Sequence, residues 1–267
     1  MALSFLQFNP ARIRSYIFRL PLCTRLLTTI IIAFYIASVA LPWLPQWAAL
    51  IPSQVGLKSM YRFNTYPFLH ANFFHAFFNI LAFVPLMERF ESEFGTLISL
   101  ALFTGPFGLL PGALYILTER VILRGDTAVQ GASVWVFLLL ANEAMKTYRT
   151  NPHFIIGDVK IPTWTTPLFI ILVVSFLVPN TSLVGHLCGA AVGYLWGLSW
   201  IRFLSPPEKI LRWVESKLNL LGRLPHYVSV DQKTYGRYGV LPSNAPALSG
   251  QDGGPVAYTG STQRLGP

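Results

Sequence analysis

The stretch Gly185-His186-Leu187-Cys188-Gly189-Ala190-Ala191-Val192-Gly193-Tyr194-Leu195-Trp196-Gly197 sets a glycine at every fourth position of an apolar run and an imidazole directly after the first of them. Residues four apart share a helix face. Gly185, Gly189, Gly193 and Gly197 therefore form a strip along which a second helix backbone can come close, as small residues permit in membrane bundles. His186 stands at the end of that strip. An ionisable or polar group inside such a run is costly to bury in lipid and is a functional candidate by default.

The rest of the chain supplies the membrane. Its 267 residues are 53% hydrophobic and 14% aromatic but only 12% charged, with a mean hydropathy of +0.49, about half the charged fraction of an ordinary soluble domain. Crossing a hydrocarbon core of roughly 30 Å takes about 20 apolar residues. Runs of that kind are predicted at 24–44, 68–87, 95–117, 130–147, 163–179 and 182–204. The first begins too far in, and is too long and aromatic, for a cleaved signal peptide. The expected fold is thus an all-α polytopic membrane protein with six transmembrane helices.

A cytosolic N-terminus leaves Lys58, Arg62, Arg120 and Arg124 on the far side and the other 16 of the 20 Lys and Arg residues on the cytosolic side, as the positive-inside rule requires. Both termini are expected in the cytosol. The same distribution explains the net charge of +9 without nucleic acid, because no basic patch interleaved with aromatics is present. Cys23 at a membrane boundary and Cys188 within a span are not placed for a disulfide, and neither has metal-site spacing. The chain divides into a cytosolic segment 1–23, a membrane domain 24–204, a basic amphipathic helix within 205–223 expected on the cytosolic membrane face, and a tail 224–267 whose Gly, Pro, Ser, Gln and Asn content predicts disorder. The connection 45–67, with Trp47, Tyr61, Phe63 and Tyr66, suits the membrane interface.

Two further polar clusters share the non-cytosolic depth of His186. In the second span His75 and Asn79 are four apart and face one way, a pair of donors able to stabilise an oxyanion where water is scarce. His70 falls on another face, or before the regular helix, and is read as structural, a tether for the 45–67 connection. At the start of the fourth span Gly131-Ala132-Ser133 puts a hydroxyl at a helix N-terminus, where free backbone N–H groups favour developing negative charge; a plain N-cap would look the same. Taken singly, each of these residues is equally explained by packing. Three clusters at one depth are not, and the glycine strip supplies the proximity that a serine on span four needs to reach a histidine on span six.

Together these residues resemble the rhomboid family of intramembrane serine proteases: His-x4-His-x3-Asn on the second span, Gly-x-Ser opening the fourth and Gly-His-x-x-Gly in the sixth. Tyr61-Arg62 is similar to the family's Trp-Arg element, and Glu88 and Gly95-Thr96 to its landmarks after span two. The resemblance covers residues 20–204. It implies a six-helix rhomboid bundle with a cavity open to the lumen, Ser133 as nucleophile, His186 as general base, and His75, Asn79 and the Ser133 N–H as oxyanion hole, with His70, Gly131, Gly185 and Gly189 supporting the site. It implies no metal and no cofactor. The short form with a basic tail is most similar to the fungal Golgi-type members. That points to the Golgi or ER membrane, and to single-pass membrane proteins, such as a membrane-bound transcription-factor precursor, as substrates. Val134 departs from the family's second glycine, and a β-branched residue there is expected to narrow the oxyanion site.

The tail run Tyr258-Thr259-Gly260-Ser261-Thr262-Gln263-Arg264-Leu265-Gly266 resembles the SHP box that recruits the Cdc48/p97 AAA ATPase, Tyr258, Gly260 and Leu265 carrying the match. Two other functions compete. A non-catalytic rhomboid-like protein would hold membrane clients for quality control. A six-span transporter would show ionisable groups along a pathway or paired repeats, and neither is found.

Overall fold

The computed structural model describes residues 10–178 and 181–233, whose regular elements are helices apart from one short hairpin. In chain order the helices are α1 (Pro10–Arg19), α2 (Leu22–Ala40), α3 (Leu44–Ala48), α4 (Arg62–Thr65), α5 (Phe73–Phe94), α6 (Thr96–Phe103), α7 (Pro106–Leu117), α8 (Ser133–Thr150), α9 (Thr166–Leu177), α10 (Leu183–Gly197), α11 (Glu208–Leu218) and α12 (Leu220–Arg223). By length and composition, Leu22–Ala40, Phe73–Phe94 and the nearly continuous Thr96–Ile122 can each cross a membrane. The tail motif at Tyr258, Gly260 and Leu265 lies outside the described residues.

The glycine strip does what its spacing predicts. A Cβ on Gly189 would stand 2.3 Å from the carbonyl oxygen of Val134, and one on Gly193 would stand 2.1 Å from that of Leu138. Backbone meets backbone along α8 and α10. At Gly197 the neighbour changes to a side chain, Met145 Cβ at 2.7 Å. Gly185 lies beyond the end of α8, against Val129 of the loop that precedes it.

Around this pair the interior is filled with rings. Phe83, Phe90, Phe103, Phe107, Trp135 and Trp196 are fully buried, meeting largely edge to face, with Phe107 and Trp196 at 5.2 Å and Phe103 and Trp135 at 5.4 Å between centroids, the arrangement ring quadrupoles favour. Outward faces are apolar as well: Ile36, Val39, Leu81, Leu172 and Phe176 are exposed. A surface of this kind has lipid as its solvent.

At the end of the molecule away from Ser133, Glu91 is completely buried and fully used. Its carboxylate accepts from the Cys23 and Thr24 N–H groups at 2.8 and 2.7 Å and from the Thr24 and Thr96 hydroxyls at 2.8 and 2.7 Å. It thereby caps α2, satisfying amides that a helix start leaves unpaired. Glu88, singled out by resemblance, instead accepts from the exposed Tyr16 hydroxyl at 2.8 Å; the buried landmark is Glu91, one turn on. Gly95 separates α5 from α6 at φ +91°, a conformation that costs a side chain and costs glycine nothing.

Two local expectations need correction. Residues 224–233, assigned by composition to a disordered tail, pack back on the domain. Thr96 N–H donates to the Val228 carbonyl and Val228 N–H to the Thr96 hydroxyl, both at 2.9 Å, and Tyr227 and Val230 are buried. The 148–162 connection contains an antiparallel hairpin, β1 (His153–Ile156) with β2 (Val159–Pro162), turning on Gly157-Asp158. Two apolar β-formers either side of Gly-Asp were the signal for it.

The close approach makes a stability prediction. Gly193→Ala, which drives a methyl into a backbone carbonyl, should cost about 1–3 kcal/mol or more, whereas Gly197→Ala should cost less because Met145 can rotate away. Thermal unfolding of the two variants in micelles checks the order; equal losses would contradict the packing described.

Candidate active site

Ser133 is the first residue of α8, with Ala132 at the cap position making no side-chain bond to the helix start. The serine hydroxyl is therefore not spent as an N-cap. Its N–H and that of Val134 lie in the first turn, where no preceding carbonyl reaches them, so two donors flank the hydroxyl. Below them Phe137 continues the same face.

The loop entering α8 is fixed from several sides. Leu50 and Val129 exchange both backbone hydrogen bonds, at 3.0 and 3.1 Å. Thr127 donates its N–H to Glu119 at 3.0 Å and accepts from the Tyr115 hydroxyl at 2.9 Å. Asp126 accepts the Ser53 N–H at 2.6 Å and also the Ser53 hydroxyl; this hydroxyl holds the Asp126 carboxyl below the usual carboxylate range. Gly131, at φ +119°, donates its N–H to the Tyr66 carbonyl at 2.9 Å. The 45–67 connection that supplies these partners is itself pinned by Arg62, whose buried guanidinium donates to the carbonyls of Gln46 and Ala49 and to the Gln54 side chain at 2.8, 2.5 and 2.9 Å, while Trp47 and Tyr61 stack at 4.5 Å.

His70 braces the loop before Ser133, a partner different from the one expected. Its Nδ1 lies 3.1 Å from the Phe68 carbonyl and its Nε2 lies 3.2 Å from the Ala132 N–H. A carbonyl only accepts and an amide only donates. One neutral tautomer, protonated at Nδ1, satisfies both, and so His70 holds the residue before Ser133.

His75 and Asn79 share a face of α5 as the spacing required. The helix begins at Asn72, whose side chain accepts the His75 N–H at 2.9 Å, a cap readable in the sequence as Asn ahead of the apolar run. The His75 ring meets His70 edge-on at 5.0 Å. A Cβ on Gly131 would stand 2.9 Å from both Cε1 and Nε2 of His75 and 3.6 Å from Ser133 Oγ. Gly131 thus keeps the gap between imidazole and hydroxyl open. Asn79 donates from Nδ2 to the His75 carbonyl at 2.8 Å, which occupies one of its two amide hydrogens.

His186 lies one turn into α10, which starts with Ser182 accepting the Gly185 N–H at 3.0 Å. Its buried ring packs on Phe137, centroids 4.5 Å apart, and it lies within electrostatic range of His75. Among the described residues no hydrogen bond joins it to Ser133, and its Nδ1 has no partner. Proximity comes from the helices: Gly189, three residues after His186, sits on Val134, the residue after Ser133. Catalytic hydrogen bonds are often loose in unliganded sites and tighten on substrate. Val134 is 3% exposed, within the principal core. Among the described residues no group of three or more His, Cys, Asp or Glu is placed to hold a metal. Ser53, Tyr115, Glu119 and Asp126 act only through the loop and carried no signal in the sequence beyond their residue types.

A hydroxyl, two imidazoles and a carboxamide gathered at one end of an apolar helical array are the furniture of a membrane-embedded hydrolase. The Rhomboid domain profile matches residues 57–203. The chain is 58% identical over 267 residues, all of it and 98% of the relative, to Rhomboid-type serine protease B of Aspergillus fumigatus. It is 51% identical over 281 residues to Rhomboid-type serine protease 2 of Podospora anserina, covering 97% of each. With Rhomboid-type serine protease 2 of Saccharomyces cerevisiae it shares 33% identity over 205 residues, 74% of this chain and 78% of the relative. The chain belongs to the rhomboid family of serine proteases.

His70→Ala should leave the Ala132 N–H buried and unpaired, a loss of about 1–3 kcal/mol, and should slow labelling of Ser133 by a fluorophosphonate at temperatures where the variant is still folded. Labelling at the parental rate would show that the brace does not position the serine.

Proposed function

We propose that this protein is an intramembrane serine endopeptidase that cleaves membrane-anchored proteins near the lumenal face by a Ser133–His186 dyad. Ser133 Oγ attacks the scissile carbonyl while His186 takes its proton and returns it to the leaving amine; water then releases the acyl-enzyme. The oxyanion is met by the Ser133 N–H, by His75 and by the amide hydrogen of Asn79 left over from the His75 carbonyl. The observation that supports this reading is the seating of Gly189, three residues after His186, on Val134, the residue after Ser133.

In this reading α2, α5, the α6–α7 pair, α8, α9 and α10 are six membrane crossings, with both termini cytosolic and the site facing the lumen of the Golgi or ER. The sixteen-to-four division of basic residues supports that orientation. Single-pass proteins, a membrane-bound transcription-factor precursor among them, are the substrate class. Tyr258, Gly260 and Leu265 would offer the tail to the Cdc48/p97 ATPase, and loss of pull-down on deleting 258–267 tests this.

Ser133→Ala should lower cleavage by more than about 10³-fold without changing thermal stability, and fragments released from the membrane in cells with the intact protein should be missing from cells with the variant. Unchanged fragments together with a Ser133 inert to fluorophosphonate would instead indicate a client-binding protein.

A further inference from the structure

The last apolar helix does not run on into the cytosolic segment. The stretch Arg202–Leu218 turns 91° away from Leu183–Gly197, the break falling at residues 198–201, where Ser199 takes φ +70°. If α10 crosses the bilayer, α11 lies in its plane.

The two sides of α11 differ. Leu211 and Glu215, four residues apart, are buried; Glu215 accepts the Tyr227 hydroxyl at 2.8 Å and the Val230 N–H at 2.9 Å. Burial and this carboxylate push the Tyr227 phenol well above its ordinary range. On another side Ile210 and Trp213 are 54% and 61% exposed, and Leu218, the last residue of the helix, is 52% exposed. Between the end of α10 and the start of α11, Phe203 and Trp200 are 79% and 69% exposed. Around α11 the cations divide. Arg212 pairs with Asp231 and Lys233 with Glu208, both at 2.5 Å, whereas Lys209, Lys217 and Arg223 have no carboxylate partner among the described residues.

We propose that α11 is a membrane-surface anchor, with Trp213, Ile210 and Leu218 in the acyl boundary of the cytosolic leaflet and Lys209 and Lys217 at its headgroup phosphates. Lipid is the occupant because α11 follows directly on the 91° turn at the end of α10, with exposed Trp200 and Phe203 between the two, and because lysines without a carboxylate partner accompany apolar side chains that can sink below them, the pattern of helices lying in an interface. The anchor is connected to the rest of the domain. Residues 224–233 run from Glu215 to the starts of two helices: the His226 carbonyl accepts the Leu22 N–H at 3.0 Å and the Val228 carbonyl accepts the Thr96 N–H at 2.9 Å. The position of α11 on the surface thereby bears on the starts of α2 and α6, next to the Glu91 network.

The inference rests on the membrane-crossing part of the proposed function and is independent of Ser133. Its test is a nitroxide scan of the full chain in vesicles of mixed zwitterionic and anionic phospholipid, with Cys23 and Cys188 changed to Ala. Labels are placed one at a time at Ile210→Cys, Trp213→Cys, Leu218→Cys, Ser216→Cys and, as a lipid-facing reference, Phe176→Cys. Collisions with oxygen relative to a water-soluble nickel chelate should be several-fold higher at 210, 213 and 218 than at 216, approaching the value at 176. Equal, water-like ratios at 210, 213, 218 and 216, with 176 lipid-like, overturn the anchor alone; a water-like 176 overturns the membrane reading beneath it. Immobilised labels with spin–spin broadening would mean that a second copy covers these side chains, and would also overturn it. Quenching of Trp emission by brominated lipid, smaller in Trp213→Phe than in the parent while Trp200 and the other exposed tryptophans remain, gives the same reading without cysteine substitutions.

Discussion

Two helix backbones in contact organise this protein. Where α10 lacks Cβ atoms at Gly189 and Gly193, the carbonyls of Val134 and Leu138 on α8 come within 2.3 and 2.1 Å of where those carbons would stand. In lipid there is little hydrophobic gain from bringing one apolar helix to another, so close van der Waals approach over small residues supplies the association. The contact also sets the chemistry. It fixes the start of α8, with Ser133, against the first turns of α10, with His186, and leaves the ring of Phe137 as the surface on which the imidazole rests.

Everything near the site obeys a second constraint, that backbone polar groups at this depth need partners inside the protein. The loop before Ser133 has no regular structure of its own, and its amides are taken one by one by Leu50, Tyr66, His70 and Glu119. The 45–67 connection is thus a frame for the start of α8, and buried Arg62 is the pin that holds the frame. The opposite end uses the same logic with different groups, Glu91 and the 224–233 segment satisfying the amides of α2 and α6. The donors left over are those of Ser133 and Val134 at the head of α8, where a developing negative charge can use them.

Most of the helical frame was legible in the sequence because apolar runs and the four-residue glycine period each have one geometric meaning. His75 and Asn79 were legible as a pair for the same reason. The errors came where meaning depends on a partner distant in the chain. His70 could be recognised as structural, but only folding shows that its partner is Ala132; Glu88 and Glu91 look alike until one is buried against the start of α2. Composition misplaced 224–233, since Tyr227 and Val230 amid polar residues say nothing about the Glu215 carboxylate that receives them. Val134 follows Ser133 and so lies a hundred degrees round the helix from it, in the core, which its neighbour in sequence does not reveal.

The central claim, that glycine-mediated contact sets His186 on Ser133, is tested most directly by the rate at which a fluorophosphonate labels Ser133 in Gly189→Ala, measured at a temperature where circular dichroism shows the helices intact. A methyl at that position meets the Val134 carbonyl 2.3 Å away and must push the two helices apart. The account predicts labelling much slower than in the parent protein. Labelling at the parental rate in the folded variant would contradict it.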